Sequence, residues 1–289
     1  DPSDFYRIQR GLEIHYPHFN PNADSPAFPS FEEFISLVHV SKDFGNPDSL
    51  YRLYKTEAWP EVYDASLRLL GSYISCKQQQ IDLRDADTPL HTFVRQLQPQ
   101  DTVLTFNWDS LLEWQLNSLG IPFSIDPDID NGVSIHKLHG SLSWAVLPDG
   151  VSPKHPETIS HLDSSAKLVC SSNHSYLDLW LALKQAPYIV TPIVHKKPVE
   201  GDFMSKLWFH GYQAILNADR LIVIGYSFPT SDLHARGYLR DGVASRLEHR
   251  EWPFSITVID PNPATASRYF TAIASDFQYR QEEFSGKVG

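Results

Sequence analysis

The chain has 289 residues, of which 42% are apolar, 12% aromatic and 20% charged, enough for one large domain or two small ones with a sizeable core. No window approaches the roughly 18 consecutive apolar residues of a membrane-spanning helix. A balance of 24 basic against 35 acidic residues gives −11, which argues against a broad phosphate-binding surface and against direct nucleic-acid binding. Two cysteines, Cys76 and Cys170, cannot make a disulfide framework or a four-cysteine zinc site, so a cytoplasmic location is the expectation.

Residues 1–30 are rich in Pro, Asn, Asp and aromatic side chains and read mainly as loop. Ser30-Phe31-Glu32-Glu33 has capping-box spacing and predicts a helix through Phe34, Ile35 and Val38. Val62, Leu69, Tyr73 and Cys76 recur at helical spacing, and Thr88-Pro89 reads as an N-cap and first-turn proline for a helix through Phe93 and Leu97. No strand stands out before about residue 98, so 1–98 read as a helical module and 99–289 as an α/β core.

Within that core, Thr102-Val103-Leu104-Thr105-Phe106 predicts a strand and Leu111-Leu112-Glu113-Trp114 a helix. Gly132 to Leu138 is a second strand, ending at His139-Gly140-Ser141. Residues 142–187 read as an irregular insertion, followed by a strand over Tyr188–Thr191 and a helix from about Ser205 to Leu216. Arg220-Leu221-Ile222-Val223-Ile224-Gly225, apolar on both faces, predicts a central strand. A helix after Asp232, a strand over Ile256–Asp260 and an Asn262-Pro263 cap for a following helix complete the pattern. Such alternation predicts a Rossmann-like, doubly wound, mostly parallel sheet with helices on both faces.

Ligands in open α/β sheets bind beyond the carboxyl ends of the strands. Four such ends carry polar residues: Asn107-Trp108-Asp109, His139-Gly140-Ser141, Gly225-Tyr226-Ser227 and Asp260-Pro261-Asn262. Each also has a purely structural explanation: Asn107 as an N-cap with Asp109 in the first helical turn, His139 as a loop residue before a glycine turn, Asn262 as an N-cap, Ser227 bonding a nearby amide. One sheet edge shared by all four is what favours a site.

Thr105-Phe106-Asn107-Trp108-Asp109, Lys137-Leu138-His139-Gly140-Ser141 and Ile224-Gly225-Tyr226-Ser227-Phe228-Pro229 with Asp232, in that order, resemble the sirtuin-like domains of prokaryotic anti-phage defence proteins. The resemblance covers about residues 30–284. It implies an NAD-consuming enzyme in which Asn107 positions the nicotinamide ribose and the attacking water, Asp109 holds the carboxamide, and His139 contacts the ribose hydroxyls as general base. Phe106, standing where deacylating sirtuins have Gln, would border the cofactor. Gly225 and Ser227 would lie against the phosphates or adenosine ribose, with Asp232, Asp260 and Asn262 around the adenosine half. NAD is then the substrate, no metal is implied, and a partner defence protein or a second copy of the chain would gate activity. A four-cysteine zinc ribbon has no counterpart in residues 142–187, which favours NAD hydrolysis over deacylation. The family's first strand and Gly-Ala-Gly-x-Ser-type phosphate loop have none in residues 1–98. These either precede Asp1 or are lost; we expect the former.

The chemistry is coherent with those residue types. Breaking the nicotinamide–ribose bond develops an oxocarbenium-like cation, for which fixed dipoles and a carboxylate are suited, and a base near neutral pKa, for which histidine is suited. Three rivals are weaker. A serine hydrolase centred on Ser227 lacks the glycine that a nucleophile elbow needs, because Pro229 stands there. A metal hydrolase would have to draw on the 13 histidines, but the spacing of His136 and His139 at a strand end points them to opposite faces, and His15/His18 and His155/His161 sit in irregular segments with no partnered carboxylate pattern. A catalytically silent nucleotide-sensing or assembly module is the strongest of the three and stays open beside a protein deacylase as the alternative, although a dead site need not keep Asn107, Asp109 and His139 together.

Overall fold

The computed structural model describes residues 35, 39, 59–129, 131–148, 157–161, 166–170, 186–191, 202–226, 232–249 and 254–262. The chain divides into two compact units, Asp1–Ile193 with Val199–Leu207, and Val194–Pro198 with Trp208–Gly289. Both mix helices with parallel strands. Among the described residues no helix is long and apolar enough to cross a membrane.

In the first unit, Ile35 and His39 are helical; Phe34, Val38 and the Ser30 capping box lie outside the described residues. Helix α1 spans Trp59–Gln78. Helix α2, Pro89–Val94, starts as the sequence predicts: Thr88 is extended, and its side chain accepts the His91 N–H at 3.2 Å. Strand β1 (Thr102–Thr105), helix α3 (Leu111–Ser118), β2 (Phe123–Ser124) and β3 (Val133–Lys137) follow. The strands form one parallel sheet in the order β1-β3-β2. Its core is Val94, Leu116, Val133 and Ile135, with Leu90, Phe93, Val103 and Leu112 packed around them. Helices α2 and α3 thus cover the sheet with apolar faces, which is the burial that drives such a layer.

The expected irregular insertion is a correction. Three strands lie within it, β4 (Trp144–Pro148), β5 (Glu157–His161) and β6 (Ala166–Cys170), paired antiparallel in the order β4-β6-β5 with an irregularity between Thr158 and Ser160. Their sequences carry no clear strand signal: Trp144–Pro148 is an apolar run closed by a proline, Glu157–His161 is mostly polar, and Lys167 breaks the apolar run of Ala166–Cys170. The expected strand over 188–191 reduces to a single antiparallel bridge between Ile189 and Gly140.

Helix α4, Asp202–Asn217, crosses the boundary between the units. The second unit continues with β7 (Arg220–Ile224), α5 (Leu233–His249) and β8 (Ser255–Ile259). Strands β7 and β8 pair in parallel and in register from Arg220–Ser255 to Ile224–Ile259. The apolar run of β7 predicts a central position, but among the described residues β7 pairs with β8 alone. Ile222, Ile224 and Ile259 are 40%, 50% and 48% exposed. Apolar β-branched composition here reflects strand propensity, which does not depend on burial of both faces.

Candidate active site

Strands β1 and β3 run in register up to Thr105 opposite Lys137, and the ladder ends with Leu138 N–H donating to the Thr105 carbonyl at 2.9 Å. Both segments then leave the sheet with their polar residues at equivalent places: Asn107 stands two residues past Thr105, and His139 two past Lys137. The exit after β1 is held by short-range bonds. Asn107 N–H donates to Thr105 Oγ1 at 3.1 Å, and Asp109 Oδ1 accepts from Leu111 N–H at 3.1 Å. Ser110 is the N-cap of α3 but makes no side-chain capping bond; its own N–H donates to Gln78 Oε1 of α1 at 3.1 Å. Of the first donors of α3, which no helical carbonyl can serve, that of Leu111 is thus taken by the Asp109 side chain. Asn107 is exposed and is not the cap.

His139 is 6% exposed, and its ring meets Phe106 at 5.0 Å between centroids with the planes inclined 57°. Backbone bonds fix it on both sides. Its carbonyl accepts from Val190 N–H at 2.8 Å, Ser141 N–H donates to the Tyr188 carbonyl at 3.0 Å, and Leu142 N–H donates to the Trp108 carbonyl at 2.9 Å. Gly140 makes this approach possible: its φ is +73°, and a Cβ there would stand 2.3 Å from the Tyr188 oxygen. Phe106, Asn107, Asp109 and His139 are therefore brought to one strand end.

Sequence reasoning overlooks two residues at this end. Lys137 is buried, its side chain 1% exposed, and pairs with Glu113 of α3 at 2.9 Å, Glu113 being 11% exposed. The same ammonium donates to the Asp109 backbone carbonyl. The signal was present: a lysine inside the apolar run Val133–Leu138 and a glutamate among Leu111, Leu112 and Trp114 are charges in segments that read as buried, and buried charges are paired.

The remaining expected residues belong to the second unit. Gly225, φ +64°, follows β7, and its N–H donates to the Ile259 carbonyl at 3.0 Å. Asp232 stands directly before α5, where its Oδ1 accepts from Ala235 N–H at 3.5 Å and its Oδ2 from the Tyr226 hydroxyl at 3.2 Å. That gives Asp232 the structural role of a helix cap. Asp260 Oδ1 accepts from Asn262 N–H at 2.7 Å, a turn formed by the aspartate with its own chain. Ser227 and the helix expected after Pro263 lie outside the described residues. No group of three or more His, Cys, Asp or Glu side chains among the described residues is placed to hold a metal ion.

No protein-family model matches the chain, and no curated protein does. The functional reading consequently rests on residue chemistry and placement.

Proposed function

We propose that the chain is an NAD⁺ glycohydrolase of the sirtuin-like kind, releasing nicotinamide and ADP-ribose, and that its parallel strands belong to a Rossmann-like core. The observation that carries the reading is the arrival of Asn107, Asp109 and His139 at the carboxyl end of one parallel strand pair, the edge at which α/β sheets bind ligands. In this reading Asn107, exposed at the strand end, orients the ribose and the water. Asp109 engages Oδ1 with Leu111 and offers Oδ2 to the carboxamide N–H. His139 takes the proton of the attacking water as the nicotinamide–ribose C–N bond breaks and the pair of electrons leaves with nicotinamide. The Phe106 ring excludes bulk water from the His139 side. The cellular setting, depletion of NAD in anti-phage defence, follows the resemblance of the sequence motifs.

The burial of His139 beneath Phe106 favours one refinement, a gated enzyme whose resting form admits substrate only when an activating partner or second copy shifts this corner. The test is incubation of purified protein with NAD⁺, following nicotinamide and ADP-ribose by chromatography, beside His139→Ala. We expect turnover to fall by about 10²–10⁴-fold in the variant, the usual contribution of a positioned general base. Full activity in His139→Ala would sink the assignment. NAD binding without cleavage in the unmodified protein would favour the gated form, and release of O-acylated ADP-ribose from an acyl-lysine peptide would replace hydrolysis by deacylation.

A further inference from the structure

Lys137 has no part in the chemistry proposed above, yet its ammonium is buried to 1% exposure against Glu113. A buried ion pair is a poor source of stability: desolvation offsets most of the attraction, and an apolar pair of similar volume often does as well. An apolar pair cannot, however, hold a backbone carbonyl. Lys137 donates to that of Asp109, in the turn that carries Asn107, while its own strand leads two residues later to His139. We propose that Lys137 is a positioning residue: clamped by Glu113, it fixes the Asp109 carbonyl and so sets the Asn107–Asp109 turn of β1 against the His139 end of β3. Glu113 has the place of a capping-box acid, three residues after the N-cap Ser110, but its carboxylate is turned to Lys137 instead.

The consequence for catalysis rests on the NAD reading; the geometric claim does not, and the experiment separates them. Lys137→Met/Glu113→Gln removes both charges together, so that no lone charge is left buried; Lys137→Arg keeps the charge but cannot place one nitrogen on both acceptors. The three readouts are thermal melting, kcat and KM for NAD⁺, and amide hydrogen exchange in the full chain. We expect the double variant to melt near wild type with kcat lowered by about 100-fold, the cost of a misplacement on the order of 1 Å, and KM little changed. Exchange protection should be lost at the Leu111 and Leu142 amides, which bond Asp109 and Trp108, while the ladder amide of Leu138 stays protected. Lys137→Arg should move the same amides, and it decides the matter if the double variant does not fold. Wild-type kcat with unchanged protection at Leu111 and Leu142 in either folded variant overturns the inference. If the unmodified protein does not cleave NAD, the activity reading fails, and the exchange pattern alone still upholds or overturns the positioning role.

Discussion

The two parallel strand pairs, β1–β3 and β7–β8, both end in polar residues, but they anchor them differently. At the β1–β3 end Lys137 and His139 are tied into the interior, 1% and 6% exposed, by Glu113 of α3 and by Val190 N–H, while Asn107 and Asp109 bond residues two positions away in the chain. At the β7–β8 end the bonds described are shorter in range, Asp260 to Asn262 and Asp232 to Tyr226 and the first turn of α5, beside isoleucines about half exposed. Groups locked by neighbours from several elements keep a reactive geometry, whereas local turns leave the backbone free to adapt. The first end is therefore the place to look for bond-breaking chemistry.

That contrast can be broken by mutation, and the largest effect should come from Lys137→Ala. It strands the Glu113 carboxylate in the interior, and we expect a loss of about 3–5 kcal/mol in denaturant unfolding; a loss below about 1 kcal/mol would mean that this end is no more locked than the other. Gly140→Ala comes next. Its cost should exceed the ~1–2 kcal/mol of a left-handed alanine, because the new methyl also meets the Tyr188 carbonyl. Gly225→Ala sharpens the comparison: φ is similarly positive at +64°, but among the described residues nothing lies within 4 Å of a Cβ there, so only the ~1–2 kcal/mol of backbone strain is expected. Equal melting shifts for the two glycines would count against a tightly held His139 corner.

The last prediction is silent at neutral pH. Burial, and secondarily the neighbouring Tyr212, push the Tyr238 phenol well above the usual tyrosine value, and its hydroxyl donates to the Trp208 carbonyl at 2.9 Å. The folded form then holds this proton more tightly than the unfolded chain, so its contribution is fully present below pH about 10 and is lost as pH rises beyond it. Unfolding followed by circular dichroism should show an alkaline fall in stability that is shallower in Tyr238→Phe.

Much of this was legible in the sequence, for reasons that differ by element. Apolar runs with clear ends gave β1, β3, β7 and β8 to within a residue or two, and Thr88-Pro89 announced α2, because those signals are local. Asn107, Asp109 and His139 could be placed together because strand ends and parallel order follow from the alternation of elements. Strands β4 to β6 could not be seen, since Glu157–His161 is mostly polar, Lys167 interrupts Ala166–Cys170, and Trp144–Pro148 ends in the proline that usually argues against a strand. The exposure of β7 was hidden as well: composition records the preference for an extended backbone, not which faces are covered. Lys137 and Glu113 were visible as charges in apolar segments, but which carboxylate meets which ammonium is decided by the packing of α3 on β3.

The meeting of residues 139–144 with 187–190 has a consequence for how the chain can change. Val190 N–H bonds the His139 carbonyl, Ser141 N–H the Tyr188 carbonyl and Tyr188 N–H the Trp144 carbonyl, so the excursion that contains β4, β5 and β6 is tied off at its neck beside His139. Closing a long loop costs only slightly more than closing a shorter one. Added length between the two sides of that neck should therefore cost the His139 corner little, so tags or sensors can be introduced there without moving the histidine.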